Sequence, residues 1–172
     1  PGDTPEIFRQ TVDDTLNLRP DFVRLYPTLV IRQTRLHRMY EEKQFVPWSL
    51  ENTLQALQSA VEKFRDAGIP VIRLGLHPDP SMLENHVAGP YHPALRYLVD
   101  ARISLDQMIR KLRDLNPLPR NVIFKVPADR LSVFTGHKRE NIQKLAEMFS
   151  LSSLKIQPGA EQGRLELAVS DA

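Results

Sequence analysis

No cysteine occurs in the 172 residues. That excludes disulfides, a thiolate nucleophile and any thiolate metal ligand within this stretch of chain. It fits a reducing compartment, and the cytoplasm is the expected location. Long apolar runs are also missing, as is the charged-then-apolar pattern of a signal peptide, so no membrane role is expected. Glycine is scarce, at seven residues, against fourteen prolines. Sharply ended elements with few flexible linkers follow from that balance. A large excess of one charge is lacking too: the net charge is +2, too small by itself to argue for a polyanionic partner. What is present is a globular composition, 41% hydrophobic and 26% charged, in a chain long enough for one domain with a real core, or one and a small second.

Charge is unevenly placed. Residues 1–103 hold 12 bases and 13 acids, net −1, whereas residues 104–172 hold 11 bases and 8 acids, net +3. Thr4-Pro5-Glu6 starts a helix: a cap, a proline in the first turn, and an acid near the positive dipole end. Ile7, Phe8, Val12 and Leu16 follow at helical spacing, and Arg19-Pro20 stops it,. Phe22–Leu25 and Leu29–Ile31 read as strand, split by Tyr26-Pro27-Thr28. Thr34 caps a short helix through Tyr40. Ser49 caps the clearest helix, with Leu50, Leu54, Leu57, Val61 and Phe64 inward and Gly68 as its stop,. Ile69–Leu76 is the next strand. Strands separated by helices predict parallel βα units, and ligands of such sheets sit at the C-terminal strand ends. Tyr26–Ile31 and Leu74–His77 lie at such ends.

The segment 77–93 has little periodicity and reads as a long loop,. It carries His77, Asp79, Glu84, His86 and His92, metal-capable types with no pair at the i, i+4 spacing of a helical metal site. Surface residues, polar contacts at a site mouth through Tyr91 or His92, and metal ligation are the open readings, in falling order. Ala94–Arg102 is expected as a helix and Ser104 as the cap of another, with Leu105, Met108, Ile109, Leu112 and Leu115 inward. The break at Asn116-Pro117-Leu118-Pro119 marks a transition, and two domains are expected, 1–103 and 104–172. The second reads strand (Val122–Val126), short helix (Ala128–Phe134), the turn Gly136-His137-Lys138-Arg139, helix (Glu140–Phe149), strand (Leu154–Gln157) and strand (Leu165–Val169). Asp13-Asp14 and Glu41-Glu42 are helix neighbours pointing about 100° apart, so they do not converge on a substrate. No catalytic serine is evident.

Three motifs carry a resemblance. YPTLVIRQT followed by FVPWSLE, at residues 26–34 and 45–51, resembles the part of radical S-adenosylmethionine (radical SAM) enzymes that follows their cluster-binding segment. The likeness is greatest to the Elongator catalytic subunit and looser to oxygen-independent coproporphyrinogen III oxidases. PGDTPE at residues 1–6 resembles the end of the family's GLPGxTxE segment, and GPYHPALRYL at residues 89–98 its C-terminal extension. The resemblance covers about residues 1–103. It implies an α/β fold, the C-terminal portion of a partial (β/α) barrel, in an oxidoreductase that reductively cleaves S-adenosylmethionine on a [4Fe-4S] cluster to a 5′-deoxyadenosyl radical. Gly2, Asp3, Thr4, Tyr26, Pro27, Thr28, Leu29 and Val30 would then line the cofactor, and Tyr91 and His92 would meet the substrate. The CxxxCxxC cluster motif is absent. The chain is therefore expected to be the C-terminal piece of a longer protein, with the cluster-binding half as its partner and no activity alone.

The order of the second domain resembles a minimal KH domain, in which a GxxG loop clamps single-stranded nucleic acid. Gly136, His137, Lys138 and Arg139 would be that loop, with Arg139 where the family has its second glycine. Residues 104–155 hold 10 bases and 5 acids, net +5. A purely structural α/β appendage is the first reading of this domain and nucleic-acid contact the second; the other reading of the chain is thus a non-catalytic RNA-binding or assembly module, with RNA as the partner.

Overall fold

The computed structural model describes residues 1–76, 79–160 and 165–169. The chain is α/β and divides into two compact units, Pro1–Val99 and Asp100–Ala172.

In the first unit, α1 (Pro5–Leu18) starts where the Thr4 hydroxyl accepts a hydrogen bond from the Ile7 amide at 3.2 Å. The Glu6 carboxyl titrates below its ordinary 4.5, chiefly through its own backbone N–H and next through the Thr4 hydroxyl. Its contribution to stability is present at neutral pH and is lost as pH falls through that depressed value. The helix ends on Arg19, whose left-handed backbone (φ 47°) closes the last turn,. Strand β1 (Val23–Leu25) pairs in parallel with β3 (Val71–Leu74). Between them lie β2 (Val30–Ile31), α2 (Arg35–Glu41) and α3 (Leu50–Asp66). Helix α3 is capped by Ser49, whose hydroxyl accepts from the Asn52 amide. It buries Leu54, Leu57, Ala60, Val61 and Phe64. Val12, Ala60, Phe64 and Ile69 form one core cluster, with Phe8, Leu16, Val23, Leu25 and Val71 packed against it.

Two expectations for this unit are corrected. The residues on either side of Tyr26-Pro27-Thr28 are not one interrupted strand. β1 pairs with β3, whereas β2 pairs antiparallel with β4 (His86–Ala88). Pro27 has no N–H to donate to a ladder, and the chain changes sheet across it. The segment 77–93 is also not plain loop. Asp79 caps α4 (Pro80–Asn85) by accepting from the Met82 amide at 2.7 Å, and β4 follows at once. Six residues of helix and three of strand are too short to show a period. His77 lies outside the described residues.

Helix α5 runs unbroken from Leu95 to Arg113, so Ser104 is not a cap. Its hydroxyl donates back to the Asp100 carbonyl at 2.9 Å, a bond that leaves a fully buried serine satisfied inside a helix,. The boundary between units falls within α5, and the proline-rich residues 116–119 lie inside the second unit. That unit continues with β5 (Asn121–Val126), a 3-10 turn (Ala128–Arg130), α6 (Leu131–Thr135), α7 (Glu140–Phe149), β6 (Ser153–Pro158) and β7 (Glu166–Val169). The sheet order is β6-β5-β7, with β6 parallel and β7 antiparallel to the central strand. Strand β5 alternates strictly, burying Val122, Phe124 and Val126 with Met108, Leu112, Phe134 and Leu145,.

Candidate functional site

The parallel pair in the first unit ends at Leu25, and the chain leaves it as Tyr26-Pro27-Thr28. These residues form one wall of a cavity of about 260 Å³. Arg24 and Leu25 lie beneath them, and Asp3 and Phe8 close a second side. Phe45, Trp48, Thr53, Ala56 and Leu57 close a third. Phe8 and Trp48 meet edge to face, ring centroids 6.0 Å apart at 84°,. Thr53 sits one turn into α3, on its buried face, and is 3% exposed. Its Oγ1 has no hydrogen-bond partner. A buried hydroxyl left without a partner costs about 1–3 kcal/mol, so a ligand that supplied one would recover that amount.

Of the residues singled out from the sequence, Asp3, Tyr26, Pro27 and Thr28 line this cavity. Thr4 is engaged in capping α1. Gly2 has φ +80° and open space where a side chain would project. Val30 is fully buried and does not line the cavity. Leu29 faces a separate, narrow cleft of about 10 Å³, together with Pro27, Gly75, Pro90, Tyr91 and His92. Pro27 is thus shared by both openings. His92 is oriented by its Nδ1, which accepts from the Ala94 amide at 3.1 Å. The rings of His86 and Tyr91 lie 5.7 Å apart, and the His86 Nε2 is buried without a partner.

Sequence reasoning missed Phe8, Trp48 and Thr53. A signal for Thr53 exists: it stands beside Leu54 and four residues before Leu57, so the helical period carries a hydroxyl onto the buried face,. Phe8 is legible only as a residue at helical spacing; its contact with Trp48 is set by the tertiary fold.

In the second unit, the turn after α6 holds three left-handed or positive-φ backbones within four residues. Gly136 has φ +77°, and Lys138 (48°) and Arg139 (66°) are both left-handed. A Cβ on Gly136 would lie 2.8 Å from the Asn141 Cγ and 2.9 Å from its backbone N. The Asn141 Nδ2 donates to the carbonyls of Ala101, Val133 and Phe134 at 3.0, 3.3 and 3.1 Å. One buried amide therefore ties the turn to α5 and α6. Arg139 occupies the left-handed backbone region that glycine favours,. His137, Lys138 and Arg139 are exposed.

The first unit thus combines a parallel β1–β3 pair with a cavity at the strand end, lined in part by Phe8, Phe45 and Trp48,. The family model for the Radical_SAM C-terminal domain matches residues 20–105. That is half of the chain, and the chain belongs to this family. No curated protein matches it. The protein is a part of a radical SAM enzyme, and full-length members of that family use S-adenosylmethionine and a [4Fe-4S] cluster. The residues present do not fit the cluster. There is no cysteine, and among the described residues no three His, Asp or Glu side chains converge on one point. The aromatic walls and the unpartnered Thr53 hydroxyl do suit a flat heteroaromatic ring with a hydrogen-bonding edge. Among the described residues, no helix is long and apolar enough to cross a membrane.

Proposed function

We propose that the first unit forms the S-adenosylmethionine-facing wall of a radical SAM oxidoreductase, with the cluster ligands on another part of the same protein. The single observation that carries this reading is the 260 Å³ cavity at the end of β1, walled by Tyr26-Pro27-Thr28 and holding the orphan hydroxyl of Thr53. Trp48, Tyr26 and Pro27 would hold the adenine ring, and the Thr53 hydroxyl would supply a hydrogen bond to it. Thr28, Asp3 and Arg24 are available to the ribose and the charged end of the ligand. When bound, S-adenosylmethionine supplies radical chemistry by reductive cleavage. This chain's residues orient the adenosyl group and exclude water from it.

Strands β1 and β3 are read as late strands of a partial (β/α) barrel, and the YPTLVIR and GPYHP motifs support an Elongator-like or coproporphyrinogen-oxidase-like grouping. Tyr91 and His92 would meet the substrate at a cleft that shares Pro27 and Pro90 with the cofactor cavity. Calorimetric titration of the cluster-loaded full-length enzyme with S-adenosylmethionine tests the assignment. Ala56→Trp, which fills the cavity, is expected to weaken binding at least tenfold. Thr53→Val, which keeps the shape and deletes the hydroxyl, is expected to weaken it about threefold to tenfold, the value of one hydrogen bond. Unchanged affinity in both variants would remove the cavity from the cofactor site.

A further inference from the structure

The parallel pair of the first unit sets two arginines side by side. Arg24 of β1 is the register partner of Arg73 of β3, and both are exposed. The next pair along is Leu25 and Leu74. Side chains alternate between the faces of a strand, and Leu25 packs on the core cluster,. The two arginines therefore share the face turned away from that core. Adjacent strands lie about 4.8 Å apart, so two positive charges stand close together and repel. Among the described residues, neither arginine pairs with a carboxylate. Their surroundings are partly apolar. Phe22, two residues before Arg24, and Ile72, next to Arg73, are 52% and 49% exposed. The pair also joins the two openings. Arg24 lines the cofactor cavity, and Arg73 does not. Arg73 instead stands two residues before Gly75, which lines the narrow cleft with Tyr91 and His92.

We infer that Arg24 and Arg73 hold an oxyanion of the second reactant, an organic molecule with an apolar body and a carboxylate or phosphate group. The inference rests on the cofactor reading of the neighbouring cavity and adds the substrate class. A guanidinium presents a planar fork of donors that matches either oxyanion. A bound negative charge removes the repulsion between the two arginines, so this face favours an anion over an empty state. Phe22 and Ile72 select within that class. An inorganic ion would satisfy the forks and leave both side chains in water, whereas a neutral apolar molecule would cover them and leave the charges unmet. Position follows from the strands: the anion sits beside their C-terminal ends, where a βα sheet holds its ligands, and one strand away from the cofactor cavity.

The experiment uses the cluster-loaded full-length enzyme saturated with S-adenosylmethionine. Phenyl phosphate, benzoate and neutral benzamide are titrated separately, with binding read by ligand-observed NMR. At least one of the two anions is expected to bind about tenfold more tightly than benzamide, and the tighter anion identifies the group as phosphate or carboxylate. Arg73→Gln is expected to weaken that anion about tenfold. The same variant should keep its S-adenosylmethionine affinity within about twofold, because Arg73 does not line the cofactor cavity,. Its melting temperature should equal or exceed the parent's, since a like-charge contact is lost. Four results would each overturn the proposal. They are equal binding of benzamide and both anions, undiminished anion binding in Arg73→Gln, equal losses of anion and S-adenosylmethionine affinity in that variant, or a lower melting temperature with anion affinity unchanged. The last would assign Arg73 to an ion pair with another part of the protein. Failure of the cofactor reading shows separately, as unchanged S-adenosylmethionine affinity in Ala56→Trp. Anion binding still lost in Arg73→Gln would then leave the oxyanion site standing.

Discussion

Gly136→Ala is expected to destabilise the second unit by about 2–5 kcal/mol. Two effects combine. A non-glycine residue held at positive φ costs roughly 1–3 kcal/mol. The new methyl would also sit 2.8 Å from the Asn141 Cγ and 2.9 Å from its backbone N. Relief by backbone movement is blocked because the Asn141 amide is committed to three carbonyls, and overpacking of that kind adds roughly 1–3 kcal/mol. The choice of probe matters here. The sole tryptophan and all four tyrosines lie at or before residue 97, so intrinsic fluorescence is blind to residues 100–172. Amide hydrogen exchange along β5 is the suitable readout. Acceleration of at least about thirtyfold is expected there, with exchange along α3 unchanged. Equal protection in β5 would mean that the turn tolerates a side chain and that Asn141 does not anchor it.

Gly89→Ala is the corresponding change in the first unit. Gly89 follows β4 at φ +109°, and a Cβ there would meet the Thr28 carbonyl oxygen at 2.9 Å and the Leu29 Cα at 3.2 Å. Both contacts are backbone, so the cavity wall itself must move. A cost of about 2–4 kcal/mol is expected from strain and overpacking together. It should be felt in the β2–β4 pair, where the Arg32 amide donates to the Asn85 carbonyl at 2.8 Å. Exchange of the Arg32 amide should quicken, and S-adenosylmethionine affinity of the full-length enzyme should fall at least tenfold through displacement of Thr28. Faster exchange with unchanged affinity would separate the wall from the ligand.

These two glycines show which parts of the molecule were legible in the sequence. The caps at Thr4, Thr34 and Ser49 were readable because a hydroxyl before a helical period has a local partner, and each accepts the amide three residues on,. The helical face of α3 and the strict alternation of β5 were readable for the same reason: both are periodicities within one element. Ser104 misled because a serine inside a helix and a serine starting one look alike when the residues around it suit either, and burial decided the matter. The antiparallel β2–β4 pair was not legible. It joins residues more than fifty apart, through a two-residue strand and a three-residue strand, and short pairings carry no period. The role of Gly89 follows from that pairing, so the GPYHP motif could be recognised but not explained. Tyr26, Pro27 and Thr28 were found because a proline breaking an apolar run is a local signal. Trp48 and Thr53 needed the fold, since they reach the same cavity from α3 and the residues before it.

Hydrogen exchange of the cluster-loaded full-length enzyme, with and without S-adenosylmethionine, tests the cofactor wall most directly. Slowed exchange confined largely to Arg24–Thr28 and Trp48–Leu57 is the expected result, because these segments line the cavity. Protection elsewhere in the enzyme, with both segments exchanging as fast as in the ligand-free protein, would contradict it.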